Sequence, residues 1–278
     1  MKSIDPTHLR QMSAAEVRGL IRSGALDAPT AGMADGFVQA NLAIVPRAFA
    51  GDFLEFCKAN PKPCPLLGVS EPGAVDIPNV AADLDIRTDV CGYKIFKDGV
   101  AVERVRDLTQ VWRDDLVTFV LGCSFSFEHA LRDAGLPVRH IDCGCNVPMY
   151  KTGLATVPRG RFAGPLVVSM RPFTPADAIR AICLSDKMPL AHGAPVHFGD
   201  PAAIGIRDIA APEFGDAVPI GAGEVPVFWA CGVTPQAVLE KAALPFAIAH
   251  DPGHMLITDI RNAAITDGSV AGVEFCVS

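Results

Sequence analysis

The sequence predicts an α/β protein: a mainly parallel or mixed sheet flanked by helices, with a second, smaller α+β domain. Three observations predict it. Half of the 278 residues are hydrophobic, enough for a substantial core in one large domain or two modest ones. Apolar strands alternate with amphipathic helices: 116–121 before a helix reaching 135, 166–170 before ADAIRAICL, and 225–230 before QAVLEKA. These strands are near-continuous apolar runs, the pattern of a sheet covered on both faces.

Each element follows from local chemistry. Residues 13–23 read as a helix, with Ser13 as N-cap and Glu16 three positions on, as in a capping box. Pro29, Gly32 and Gly36 mark a loop before a strand at 41–45, and AFAGDFLEFCKAN is helical in period up to the Pro-rich NPKPCPLL. Two short strands, 93–96 and 100–105, flank Lys97-Asp98-Gly99, a hairpin signal. Thr174-Pro175 and Thr234-Pro235 read as N-caps followed by Pro at the first helical position, and 246–249 as a further strand. The segment 150–225 is richer in Pro and Gly. The expected division is a main domain of 1–149 plus 226–278, with 150–225 as a smaller inserted domain.

Composition excludes several classes. Only 20% of residues are charged, which argues against disorder, and a net charge of −7 without a Lys/Arg run argues against a nucleic-acid surface. No apolar run reaches the roughly 18 residues that span a bilayer, and residues 1–24 lack a signal-peptide core, so no membrane partner and a cytoplasmic location are expected. The nine cysteines then read as mostly reduced, and they lack the paired CxxC spacing of structural zinc. Soluble enzymes are often symmetric, so a homo-oligomer is among the expected states.

Candidate chemistry sits just after strands. In LVTFVLGCSFSFEHALRDAG a strand, a turn and a helix place Cys123 and Ser124 at a helix N-terminus, with Glu128 one helical turn on. Such a turn offers free N–H groups to a small carboxylate, and a thiol there tends toward a lowered pKa. Arg171 after 166–170 suits a carboxylate anchor or a salt bridge. Cys231 and Thr234 follow 225–230, and Asn146 and Tyr150 lie in a polar loop. Each has a plainer reading: buried small hydrophobes for the cysteines, an N-cap for Ser124 completed by Glu128, turn chemistry for Asn146. His192-Gly-Ala-Pro-Val-His197 and His250-Asp-Pro-Gly-His254 suit acid–base work. No cofactor is required by the sequence. A divalent metal is an open alternative, and His192, His197, His250 and His254 would be its ligands, though without zincin spacing.

PTAGM, VQANL, NPKPCPLL, WRDDLV, GCSFSFE, RHI, NVPMY, GPLVVSMRP, HGAPVHFGDP, VPVFWACGVTPQAV and HDPGHMLITD run in order along the chain. Together they resemble the bacterial hydro-lyase family whose eukaryotic relatives are D-glutamate cyclases. The DCGCN loop and the tail after Asp259 depart from that pattern. The resemblance implies a two-domain α/β fold and conversion of D-glutamate to 5-oxo-D-proline with loss of water. Such a reaction needs a cation for the α-carboxylate, a base, oxyanion donors and an acid. Residue type and position assign Arg171 to the carboxylate and the Cys123/Ser124 turn with the Ser124 hydroxyl to the oxyanion. They assign His192 or His197 to the proton, and Cys231, Thr234 and Asn146 to the pocket wall. Two alternatives stand beside it: a metal-assisted dehydratase of a hydroxy-carboxylate, and a non-catalytic small-carboxylate-binding protein.

Overall fold

The computed structural model describes residues 6–267. The chain opens with α1 (Pro6–Gln11) and α2 (Ala14–Arg22), then β1 (Phe37–Pro46), α3 (Arg47–Ala59) and β2 (Leu66–Val69). The hairpin β3 (Tyr93–Lys97) and β4 (Val100–Val105) leads to β5 (Leu116–Gly122), α4 (Phe125–Asp133) and α5 (Arg139–Asp142). There follow β6 (Met149–Ala155), β7 (Pro165–Phe173), α6 (Pro175–Asp186) and β8 (His197–Phe198). The chain continues through β9 (Val225–Ala230), α7 (Thr234–Ala242), β10 (Ala247–His250), β11 (Leu256–Arg261) and α8 (Asn262–Asp267).

Local rules hold in several places. Ser13 Oγ accepts from the Glu16 N–H, and the Glu16 carboxylate accepts from the Ser13 N–H at 2.8 Å, a complete capping box. Asp98 and Gly99 both take positive φ, 51° and 80°, as a two-residue turn with the twist of a hairpin requires. Thr174 caps α6 by accepting from the Asp177 N–H. The second Thr-Pro departs from expectation: Thr234 lies inside α7, and its Oγ1 accepts from the Val167 N–H at 3.0 Å and donates to the Val167 carbonyl at 3.2 Å. A backbone partner on β7 outcompetes the local cap.

The expected parallel or mixed sheet flanked by helices is not what forms. The first sheet runs β2-β5-β1-β10-β3-β4, with β11 also on β1, and the second runs β6-β7-β9-β8. Every one of these pairings is antiparallel. The reason is physical. Continuous apolar runs report burial on both faces, and β1 has it: Val38, Ala40, Leu42 and Ile44 join one core, Ala43 and Val45 another. Burial carries no strand direction. The alternating helices also misled: α4 and α7 connect the two sheets, and α6 joins β7 to β8 and β9 of one sheet, where β7 and β9 pair antiparallel. From β5 the chain passes through α4 and α5 into β6 of the second sheet, and from β9 it returns through α7 to β10 of the first. The site described next lies along these two crossings.

Candidate functional site

Gly122 ends β5 opposite Ala40 of β1. A Cβ there would collide with the Leu190 carbonyl, so only glycine lets the 189–193 segment close over this strand end. That segment carries His192 at φ 75°, a left-handed conformation uncommon outside glycine and a form of strain that gathers at functional sites. His192 is buried. Its Nδ1 lies 2.6 Å from the Lys62 carbonyl and therefore carries the proton, while Nε2 has no partner. Burial, with some help from Arg171 and against the Lys62 carbonyl bond, pushes the imidazole down to about 4, so it is neutral at pH 7.

Past Gly122, the Cys123 thiol takes a hydrogen bond from the Phe125 N–H, while the Ser124 N–H has no partner among the described residues. Ser124 makes no side-chain cap. Its hydroxyl accepts from Arg171 Nη2 at 3.0 Å. Each guanidinium nitrogen of Arg171 is engaged: Nε donates to Glu128 Oε1 at 3.0 Å, Nη1 to Ser169 Oγ at 3.0 Å, and Nη2 also pairs with Glu128. Phe127 and Trp229 flank the guanidinium, with ring centroids at 4.9 and 5.5 Å. His140 Nε2 lies 3.3 Å from the same Glu128 oxygen. Burial works to raise the Glu128 carboxyl, but Arg171 and His140 outweigh it and hold it down at about 2. Arg171, expected to anchor a substrate carboxylate, is thus neutralised by a carboxylate of its own chain.

The second crossing mirrors the first. Cys231 follows β9, donates its N–H to Val167, and its thiol accepts from the Val233 N–H. Asn41 of β1 joins the two turns. Its Nδ2 donates to the Gly122 carbonyl at 2.7 Å, and its carboxamide packs so closely on Gly232 that a Cβ there would collide with it. Both thiols are held in the protonated form. Burial pushes Cys123 up to about 12 and Cys231 up to about 11, reversing the lowered pKa expected at a helix N-terminus.

The other expected residues scatter. His197 sits on β8, its Nε2 2.8 Å from the Asp200 carbonyl and its ring stacked on Phe228, away from the Gly122 turn. Tyr150 is buried against the second sheet and donates its hydroxyl to the Ile209 carbonyl at 2.7 Å. Thr234 spends its hydroxyl on Val167, as above. Asn146 Oδ1 accepts from the Val147 N–H, and its carboxamide rests against Gly253. His250 is buried at the end of β10, where its Nδ1 accepts from the Leu42 N–H at 3.1 Å and Nε2 is unpartnered. His254 faces Asp251 at 3.7 Å. Among the described residues, no three His, Cys, Asp or Glu side chains gather as a metal-binding group. No helix among them is long and apolar enough to cross a membrane.

Sequence reasoning passed over Gln39, Asn41 and His140 as site residues. The signal for the first two was present. In FVQANLAIVP they are polar residues two apart on an apolar strand, hence on one face, where burial demands a partner. Gln39 Nε2 donates to the Thr30 and Met33 carbonyls, tying PTAGM to β1. Thr30 in turn bonds Gly253 and Met255, tying it to HDPGH.

Comparison with known proteins agrees with this convergence. The family described as D-glutamate cyclase matches residues 117–259, the stretch holding both crossings. A protein of Bradyrhizobium sp. (strain ORS 278) named "Putative hydro-lyase" is 64% identical over 84% of this chain and 86% of its own length. One of Bordetella pertussis with the same name is 61% identical over 88% of each. One of Burkholderia cenocepacia, again so named, is 59% identical over 91% of this chain and 99% of its own. With a family match over half its length and relatives this similar across most of the rest, the chain belongs to the D-glutamate cyclase family of hydro-lyases.

Proposed function

We propose that this protein is a hydro-lyase that cyclises D-glutamate to 5-oxo-D-proline with loss of water. The observation that carries the reading is His192: buried, strained, neutral, with an unpartnered Nε2, on the segment that closes over the Gly122 strand end and within reach of the Arg171 charge. In the reaction the α-ammonium gives up a proton and the amine attacks the γ-carboxyl carbon. An oxygen then leaves as water after taking two protons, one from the Cys123 thiol and one from the protonated His192, and the thiolate recovers the second proton that the lactam ring nitrogen sheds. His192 Nε2 is the base. The Ser124 N–H, at the start of α4, steadies the oxyanion. The Cys123 thiol, kept protonated, is the acid that delivers a proton to the leaving oxygen. Arg171 becomes a positioning residue: bonded to Glu128, Ser169 and Ser124, it fixes the turn instead of meeting the substrate. Cys231 and Asn41 shape the opposite wall.

The test is incubation of purified protein with D- or L-glutamate, with and without chelator, following 5-oxoproline by chiral chromatography. Product from D-glutamate alone is expected, unchanged by chelation, and His192→Asn lowers its rate by roughly 10²–10⁴. Folded protein that yields no product from either enantiomer overturns the reading.

A further inference from the structure

The proposed reaction leaves one carboxylate of its substrate untouched, and that charge needs a cation. Arg171 is spent on Glu128. Lys62 is not. It stands in the loop Asn60-Pro61-Lys62-Pro63-Cys64-Pro65, which is held at both ends. Asn60 Nδ2 donates to the Phe56 and Val157 carbonyls at 2.9 and 2.8 Å, and the Pro65 carbonyl accepts from the Gly122 N–H at 2.8 Å. Prolines on either side restrict the backbone of Lys62. The loop thus presents this residue in one place, against the segment that carries the base. The Lys62 carbonyl lies 2.6 Å from His192 Nδ1. Its Nζ donates to the Ala194 carbonyl at 2.6 Å, and a Cβ on Gly193 would lie 3.9 Å from that nitrogen. One residue therefore grips the base from its main chain and the two residues after the base from its side chain.

An ammonium has three donors, and this one has spent one. Among the described residues no carboxylate comes within ion-pair distance of it, and Asp186 acts on it only through its field. Burial of part of the side chain pushes the ammonium's pKa down, and Asp186 offsets only part of that effect. The residue is nonetheless exposed, so an anion can reach it, as none can reach the buried Arg171. A partly dehydrated cation with donors to spare and an open side suits a carboxylate. In the substrate the α-amine and the α-carboxylate share one carbon, so a base that takes a proton from the amine has that carboxylate beside it. We infer that Lys62 is the carboxylate-binding cation of the site: its ammonium takes the α-carboxylate while its carbonyl holds the base. The inference rests on the proposed activity and deepens it by naming the residue that fixes the end of the substrate that does not react.

The experiment compares wild type, Lys62→Met and Lys62→Arg on D-glutamate and on its α-amide, which keeps the amine and the γ-carboxyl but has no α-carboxylate. Both variants keep the backbone carbonyl that holds His192. Lys62→Met is expected to lower kcat/KM for D-glutamate by roughly tenfold to a hundredfold, chiefly through KM, and to leave the α-amide unchanged. Lys62→Arg recovers most of the loss. Equal losses on both substrates mean that the side chain only supports the loop, and unchanged rates on both mean that it does nothing. Either result overturns the inference while the D-glutamate reading stands. If the α-amide gives no measurable product, or if D-glutamate gives none and that reading falls, calorimetric titration with glutarate decides the inference. Binding to wild type that Lys62→Met weakens by roughly tenfold or more upholds it. Equal binding to the two proteins, or none to either, overturns it.

Discussion

After β5 the chain runs Cys123-Ser124 into α4, and after β9 it runs Cys231-Gly232-Val233 into α7. Each thiol takes a hydrogen bond from the N–H two residues on, and each is held protonated by burial. There the likeness ends. The first turn feeds a helix that carries Glu128 back to Arg171, and its serine joins that ion pair. The second replaces serine with glycine to admit Asn41, and its helix spends Thr234 on the backbone of β7. One local design thus yields a charged turn and a shaping turn. What separates them is one side chain inside the turn and one a helical turn later.

Removing the charge is the largest way to break this comparison. Glu128→Gln leaves Arg171 buried and unneutralised, and is expected to cost about 3–5 kcal/mol in denaturant unfolding. The pH dependence of stability comes next. His192 and His250 are buried with pKa values of about 4, below the ordinary histidine value. Between about 6.5 and 4 the unfolded chain binds more protons than the folded one, so stability is whole above that window and falls as pH drops through it. The loss is at most on the order of 3 kcal/mol for each histidine. Glu128, at about 2, loses its contribution only below about 4.5. A melting-temperature scan of a His192→Asn/His250→Asn double variant should flatten the upper window and keep the lower loss.

On the shaping side, Gly232→Ala forces a methyl against Asn41 and should cost about 1–3 kcal/mol in the same unfolding assay. The smallest effect sharpens the likeness. Iodoacetamide on native protein, mapped by mass spectrometry, should label the exposed Cys143 and Cys183 and spare both Cys123 and Cys231. Rapid labelling of Cys123 alone would mean that its turn holds a thiolate after all.

The sequence disclosed elements and turns more readily than partners. The strands at 116–122 and 225–230 and the hairpin through Asp98-Gly99 were legible because apolar runs and turn residues act locally. Their antiparallel pairing was not, since period and burial are the same for either direction. Within the site, the place of Cys123, Ser124 and Cys231 at strand ends was legible for the same local reason. The role of Arg171 was not, because its partner Glu128 lies 43 residues away on another element. Among the four histidines, only the Lys62 carbonyl bond and the closure of its 189–193 segment over the Gly122 strand end single out His192, and both are long-range.

The position of β1 sets an order of events during synthesis. It pairs along one edge with β5, and along the other with β10 and β11, where Ala43 meets Ala249 and Ala40 meets Leu256. As the chain emerges from the ribosome, the central strand of the first sheet waits with one edge open until nearly the last described strand is made. Contacts so distant in sequence close slowly. The Gln39 and Asn41 side chains share that wait, since Gly232 and the Thr30–Gly253 contact arrive late, so assembly of the site and closure of the sheet are one kinetic event.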